Sequence, residues 1–328
     1  MKPRAVLKTV AITLLVLIVL IAAAITFGGP RPIATMASVS DPFRQVDFSG
    51  VPPVQRYTAA DGASLAYRRY APVAGAERGS VVLVHGSSGS SNSMHPMARA
   101  FAGAGYVAYA LDIRGHGDSG RKGQIAYVGQ LEDDMAAFVK AVAPKQPSTL
   151  VGFSSGGGFT LRVAGGSRQD LFQSYLLLSP YLAHDAPTAR SDSGGWVSVG
   201  IPRFVGISLL NRVGVHGFND LPVIAFAVNE KSRSVLTPEY SYALMVNFAP
   251  HRDYVADIKG VRHPCALIAG DADEIFRAEQ FEPVVRAQGK DWPVTLLPGV
   301  GHIPLSLDAA ALGKAIEAVG KLQAKGAA

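Results

Sequence analysis

The pentapeptide Gly152-Phe153-Ser154-Ser155-Gly156 sets a serine between two glycines, with the apolar run Thr149-Leu150-Val151 before it and the small residues Gly156-Gly157-Gly158 leading out. A serine hydroxyl is a weak nucleophile at neutral pH. It attacks a carbonyl only when a base accepts its proton and a third group orients that base. The G-x-S-x-G spacing suits a strained strand-to-helix turn that exposes the hydroxyl, since small neighbours tolerate the close backbone approach. In a chain with 35 glycines the pentapeptide alone is weak, and its weight comes from the strand before it and the helix-compatible stretch after it.

The acid and the base are expected downstream, in that order. Asp273 lies in Gly270-Asp271-Ala272-Asp273-Glu274, just past the apolar run Ala266 to Ala269. His302 lies in Gly299-Val300-Gly301-His302, past Val294 to Leu297. Both positions are C-terminal strand ends, where open α/β sheets bind ligands. An isolated histidine is usually a structural residue, but the order Ser, Asp, His in loops after strands makes His302 the expected base. Asp273 has neighbours of the same chemistry in Asp271 and Glu274. Asp271 is its main rival, and a turn residue is the bland reading of each. The oxyanion of acyl transfer needs two preorganised N–H donors, for which Ser155 and Ser87 occupy the right places: the residue after the nucleophile and the loop after an early strand. The stretch His85 to Ser91 also reads as a phosphate cradle, but it lacks the Gly-Lys-Ser/Thr ending of a P-loop.

Elements must hold these groups together. An Asp61-Gly62 turn between strand-like runs from Tyr57 to Tyr70 predicts a hairpin. Strand Val81 to Val84, helix Met94 to Ala104, strand Val107 to Leu111, helix Leu131 to Val142, strand Thr149 to Phe153, helix Gly156 to Ala164 and strand Ser174 to Leu178 follow. Such alternation predicts an α/β fold, a mostly parallel sheet with helices on both faces. From Pro180 to Arg262 the alternation stops, over a stretch far longer than the usual connecting loop. It resumes with strand Ala266 to Ala269, helix Ala278 to Ala287, strand Val294 to Leu297 and a helix from about Asp308 to Leu322. The expected division is a core of residues 54–180 and 263–328, a cap of residues 181–262, a linker of residues 29–53 and an N-terminal segment of residues 1–28.

That segment carries no charge from Val10 to Phe27, close to the length of a bilayer's hydrocarbon core. A secretory signal is the alternative, although its apolar region is usually shorter. Lys2, Arg4 and Lys8 precede the run, so the positive-inside rule predicts a cytoplasmic N-terminus and an extracytoplasmic body, or secretion if the segment is cleaved. Those three residues supply half of the formal charge of +6, and the rest is too scattered to suggest a nucleic-acid partner. The sole cysteine, Cys265, excludes an intrachain disulfide and reads as a buried strand residue. No His-Glu-x-x-His occurs, and the expected chemistry needs no metal and no cofactor.

With His85-Gly86, Asp112-Ile113-Arg114-Gly115-His116-Gly117-Asp118-Ser119, Gly152 to Gly156, Gly270 to Asp273 and Gly301-His302, the chain resembles the monoacylglycerol lipase/lysophospholipase-like branch of α/β-hydrolases, of serine aminopeptidase S33 type. The resemblance runs from about Tyr57 to the C-terminus. It implies a triad at Ser154, Asp273 and His302, a structural role for His116, and an insertion that shapes an acyl pocket over the site. After His85-Gly86 the family has a Gly-Glu-His-Ser-like stretch where this chain has Ser88-Gly89-Ser90-Ser91. The apolar runs Val197 to Val215 and Leu221 to Val228 either line that pocket or form the insertion's own core. The expected function is hydrolysis of lipid-like carboxylic esters. A peptidase or amidase, and a catalytically silent binding module, are the alternatives. A dehalogenase or epoxide hydrolase would need aspartate where Ser154 stands.

Overall fold

The computed structural model describes residues 3–34, 42–73, 77–190, 195–228 and 235–326. Lys2, residues 35–41 of the expected linker, and residues 191–194 and 229–234 of the expected cap lie outside the described residues.

The first strands, β1 (Gln55–Thr58) and β2 (Ser64–Tyr70), form the antiparallel hairpin that Asp61-Gly62 predicts. Then come β3 (Ser80–Val84), helix α2 (His95–Gly103), β4 (Val107–Leu111), α3 (Gln130–Val142), β5 (Ser148–Phe153), α4 (Ser155–Gly165) and β6 (Ser174–Leu178), with α1 (Pro3–Phe27) preceding all of them. After an insertion the pattern returns with β10 (Cys265–Gly270), α8 (Phe281–Arg286), β11 (Val294–Leu297) and α9 (Ala309–Gly326). Eight strands pair in the order β1-β2-β4-β3-β5-β6-β10-β11, and every pair from β4 to β11 is parallel. This is the α/β-hydrolase fold.

The apolar runs arise because each central strand is buried on both faces. Val82, Val84, Leu150 and Leu177 pack with Phe138 of α3 and Phe159 of α4. Their neighbours Val81, Leu83, Val151 and Leu176 point the other way, to Met97 and Phe101 of α2 and Val319 of α9. Cys265 is buried in β10, and burial pushes its thiol pKa up. The predicted helix from Ala278 begins as a 3-10 turn and becomes α-helical only at Phe281. Pro283, which has no N–H to donate, fits only the first turn of the α-helix.

Within the insertion β7 (Val197–Val199), β8 (Pro222–Phe226) and β9 (Glu239–Ser241) form a separate antiparallel sheet, with α5 (Ile201–Arg212) between β7 and β8. Helices α6 (Tyr242–Asn247) and α7 (Tyr254–Gly260) follow β9. Of the two apolar runs, Val223 to Val228 is buried, so this run forms core rather than open surface.

Helix α1 contains a stretch, Val6–Phe27, long and apolar enough to cross a membrane, with a mean hydropathy of 3.0 and almost no burial. Among the described residues, it is the last turns of α1 that touch the body. Ile25 is buried with Ile207 of α5 and Val223 of β8, and Ile21 and Phe204 pack against them. Arg203 donates from Nε to the Ile25 carbonyl at 2.7 Å and from Nη2 to the Thr26 carbonyl at 3.2 Å. These carbonyls are among those a helix C-terminus leaves without intrahelical partners, so a guanidinium from α5 caps α1.

Candidate active site

Ser154 sits at the turn between β5 and α4 with φ of 55° and ψ of −120°, a conformation that costs a non-glycine residue about 1–3 kcal/mol. Its backbone is pinned on three sides. Ser154 N donates to the Leu178 carbonyl at 2.9 Å, and its own carbonyl accepts from Gly158 N and Tyr181 N, each at 3.0 Å. The flanking glycines are sterically required. A Cβ on Gly152 would lie 2.1 Å from the Gly156 carbonyl oxygen, and one on Gly156 would lie 2.3 Å from that of His85.

Three predicted residues meet here. His302 Nε2 is 3.0 Å from Ser154 Oγ, and His302 Nδ1 is 2.8 Å from Asp273 Oδ2. An ionised carboxylate only accepts hydrogen bonds, so Nδ1 carries the proton and Nε2 is left to accept from the serine hydroxyl. The other carboxylate oxygen, Oδ1, accepts from Ile275 N at 2.8 Å and Phe276 N at 2.9 Å. Burial alone would raise the Asp273 carboxyl pKa. The charge and hydrogen bond of His302 and the two backbone donors outweigh burial and hold it below the usual value. The rings of Phe153 and Phe276 flank the imidazole, with centroids 4.8 and 5.2 Å away.

The two rivals of Asp273 are occupied elsewhere. Asp271 Oδ1 accepts from Gly299 N at 2.7 Å, bridging two loops on the exposed side. Glu274 Oε2 accepts from the backbone N of His302 at 2.9 Å, which positions the histidine's main chain rather than its ring.

Ser87 and Ser155 also come together, their hydroxyls 2.5 Å apart. Ser155 opens α4, so its N–H is one of those a helix N-terminus leaves for an external acceptor, at the positive end of the helix dipole. His116 lies apart from the triad. Its Nε2 contacts the hydroxyl of Tyr240. The rest of its loop is held by Asp112, which accepts from Ser91 N at 2.6 Å and Asp118 N at 3.0 Å, and by Arg114, which forks onto Asp134 and Asp61.

Residues 75–306 match the family described as serine aminopeptidase, S33. The chain belongs to that family. A monoacylglycerol lipase of Mycolicibacterium smegmatis is 37% identical over 106 residues, which cover 31% of this chain and 37% of the relative. A thermostable monoacylglycerol lipase of a Bacillus species is 32% identical over 114 residues, covering 34% and 42%. The chain thus spans about two fifths of the length of the curated relatives it matches. Among solved structures, a soluble variant of the monoglyceride lipase of Saccharomyces cerevisiae superposes with a TM-score of 0.63 at 18% identity, over 86% of this chain and 98% of that one. A bacterial membrane phospholipase A superposes with a TM-score of 0.57 at 18% identity, over 98% of this chain and 99% of that one. At these identities the likeness is one of fold.

Sequence reasoning missed the groups that this S33 chain uses to brace the site from outside its motifs. Arg190, at the start of the insertion, donates to the Asp273 carbonyl at 3.0 Å and the Phe276 carbonyl at 3.2 Å. Glu274 was visible only as a competitor for the acid. Tyr240 carried no local signal, since a tyrosine beside the apolar runs of the insertion reads as core.

Proposed function

We propose that this protein is a serine carboxylester hydrolase acting on lipid-like acyl esters, with Ser154 as nucleophile, His302 as general base and acid, Asp273 as its orienting carboxylate, and the N–H groups of Ser87 and Ser155 as oxyanion donors. The observation that carries this reading is the hydrogen-bonded line from Asp273 through His302 to Ser154, at the C-terminal ends of parallel strands. His302 Nε2 takes the proton as Ser154 Oγ attacks the carbonyl, and the resulting imidazolium is stabilised by Asp273. The proton passes to the departing alcohol, leaving an acyl-serine. Water, deprotonated by the same nitrogen, then releases the acid. The lipid leaning draws on the two monoacylglycerol lipase relatives.

Residues 54–180 and 263–328 form the catalytic core in this reading, and residues 181–262 form the cap. Helix α1 is its membrane anchor, entered from a cytoplasmic N-terminus, with the body outside. Because α1 docks on α5, the exposed α5 stripe Ile201, Val205 and Leu209, continued by Val213, then lies beside the membrane surface.

The test uses the full-length protein in membranes and detergent. It is expected to resist carbonate extraction, to place a C-terminal reporter outside, and to hydrolyse p-nitrophenyl esters of medium and long acyl chains faster than acetate. Aminoacyl amides turning over faster than every ester would replace this reading with a peptidase, and release by carbonate or a cytoplasmic reporter would remove the anchor or its orientation.

A further inference from the structure

We propose that Tyr240, carried by the cap, is a positioning residue for the oxyanion loop, acting through the backbone of Ser88. The inference rests on the serine-hydrolase reading.

Tyr240 is almost wholly buried, and its hydroxyl lies between two partners whose polarities are decided. Nδ1 of His116 is 3.2 Å from the Ile113 carbonyl and 3.3 Å from the Arg114 carbonyl. Both can only accept, so Nδ1 bears the proton and Nε2 is an acceptor. Burial, reinforced by the neighbouring His85, holds His116 neutral far below the usual histidine range, so that acceptor persists. Tyr240 therefore donates its hydroxyl proton to His116 Nε2 at 2.7 Å, and the same oxygen accepts from Ser88 N at 2.5 Å. The Tyr240 ring cannot swing away, because His116 and Phe226 pack against it edge-on, with centroids 5.1 and 4.6 Å away.

Ser88 needs such support. Its φ of 65° lies in the left-handed region, which a residue with a Cβ seldom adopts. Three hydrogen bonds hold it, all from the cap. Besides the Tyr240 bond, Ser88 Oγ donates to the Thr237 carbonyl at 2.6 Å, and Thr237 N donates to the Ser88 carbonyl at 2.9 Å. The N–H taken by Tyr240 belongs to the peptide joining Ser87 to Ser88. Fixing that peptide plane fixes the main chain on the far side of Ser87, whose hydroxyl meets Ser155 at the mouth of the site. Oxyanion stabilisation depends on donors already aimed before charge develops, so a loop released from the cap loses transition-state binding rather than substrate binding.

Tyr240→Phe keeps the ring and removes only the hydroxyl. It is expected to lower kcat on the best ester about tenfold, to leave KM within about twofold, and to weaken inhibition by a boronic acid, which forms a tetrahedral adduct on Ser154, by the same factor as kcat. Ser88→Gly, which removes the bond to Thr237 while accepting the positive φ, is expected to change these quantities in the same direction and decides the matter if Tyr240→Phe does not fold. Folded variants with wild-type kcat overturn the proposal, as does a rise in KM with boronate affinity unchanged. Wild-type protein that neither turns over esters or amides nor reacts with a fluorophosphonate would instead overturn the hydrolase reading, and this inference with it.

Discussion

Ser154→Ala is expected to lower kcat on the best ester by about 10⁴–10⁶-fold with KM nearly unchanged, because the hydroxyl forms its new bond only beyond the Michaelis complex. His302→Ala should fall in the same range, and the double variant should be little worse than either single one, since nucleophile and base act as one unit. The measurement is steady-state turnover of full-length protein in detergent, alongside labelling by a fluorophosphonate, which reports the activated hydroxyl directly. Full-length protein matters because α1 covers Ile207 and Val223, and a chain cut after α1 would expose them. Folding should survive, since the strained turn is held by backbone hydrogen bonds that an alanine retains. A Ser154→Ala variant that kept turnover and labelling would show that the nucleophile lies elsewhere.

Asp273→Asn is expected to lower kcat about 10⁴-fold, equivalent to roughly 5.5 kcal/mol of transition-state stabilisation, while Asp271→Asn stays within about threefold of wild type. The geometry makes the first substitution severe without unfolding the loop. The two N–H groups of Ile275 and Phe276 demand an acceptor at the Oδ1 position, so the asparagine carbonyl oxygen settles there and its NH₂ turns toward His302. A donor then faces Nδ1, which must give up its proton to accept. The proton moves to Nε2, where the ring can no longer take one from Ser154. Asp271, bonded to Gly299 N, makes no such contact, and its loss should register only as a small change in melting temperature. Comparable losses in the two variants, or a large loss in Asp271→Asn alone, would overturn the assignment of the orienting acid.

Several elements of this molecule were legible in its residues taken in order. The alternating strands and helices, and strands such as Ser174–Leu178 and Cys265–Gly270, were readable because a parallel strand buried on both faces must be apolar along its whole length. The Ser154 turn was readable because its backbone approach permits only glycine at 152 and 156. The long apolar helix was readable from its length and lack of charge. Each of these is a constraint that acts within a few residues, so composition and spacing record it.

Tertiary structure alone decided which of Asp271, Asp273 and Glu274 faces His302, because three acids within four positions of a tight loop differ only in the direction of their side chains. It also decided that Arg203 caps α1 and that Tyr240 reaches Ser88 across 152 residues of chain. Contacts at such separations leave no local period or spacing. They arise where packing of the insertion against the sheet and against α1 brings donors and acceptors to the same place, and a buried polar group must find its partner there or carry the cost of having none.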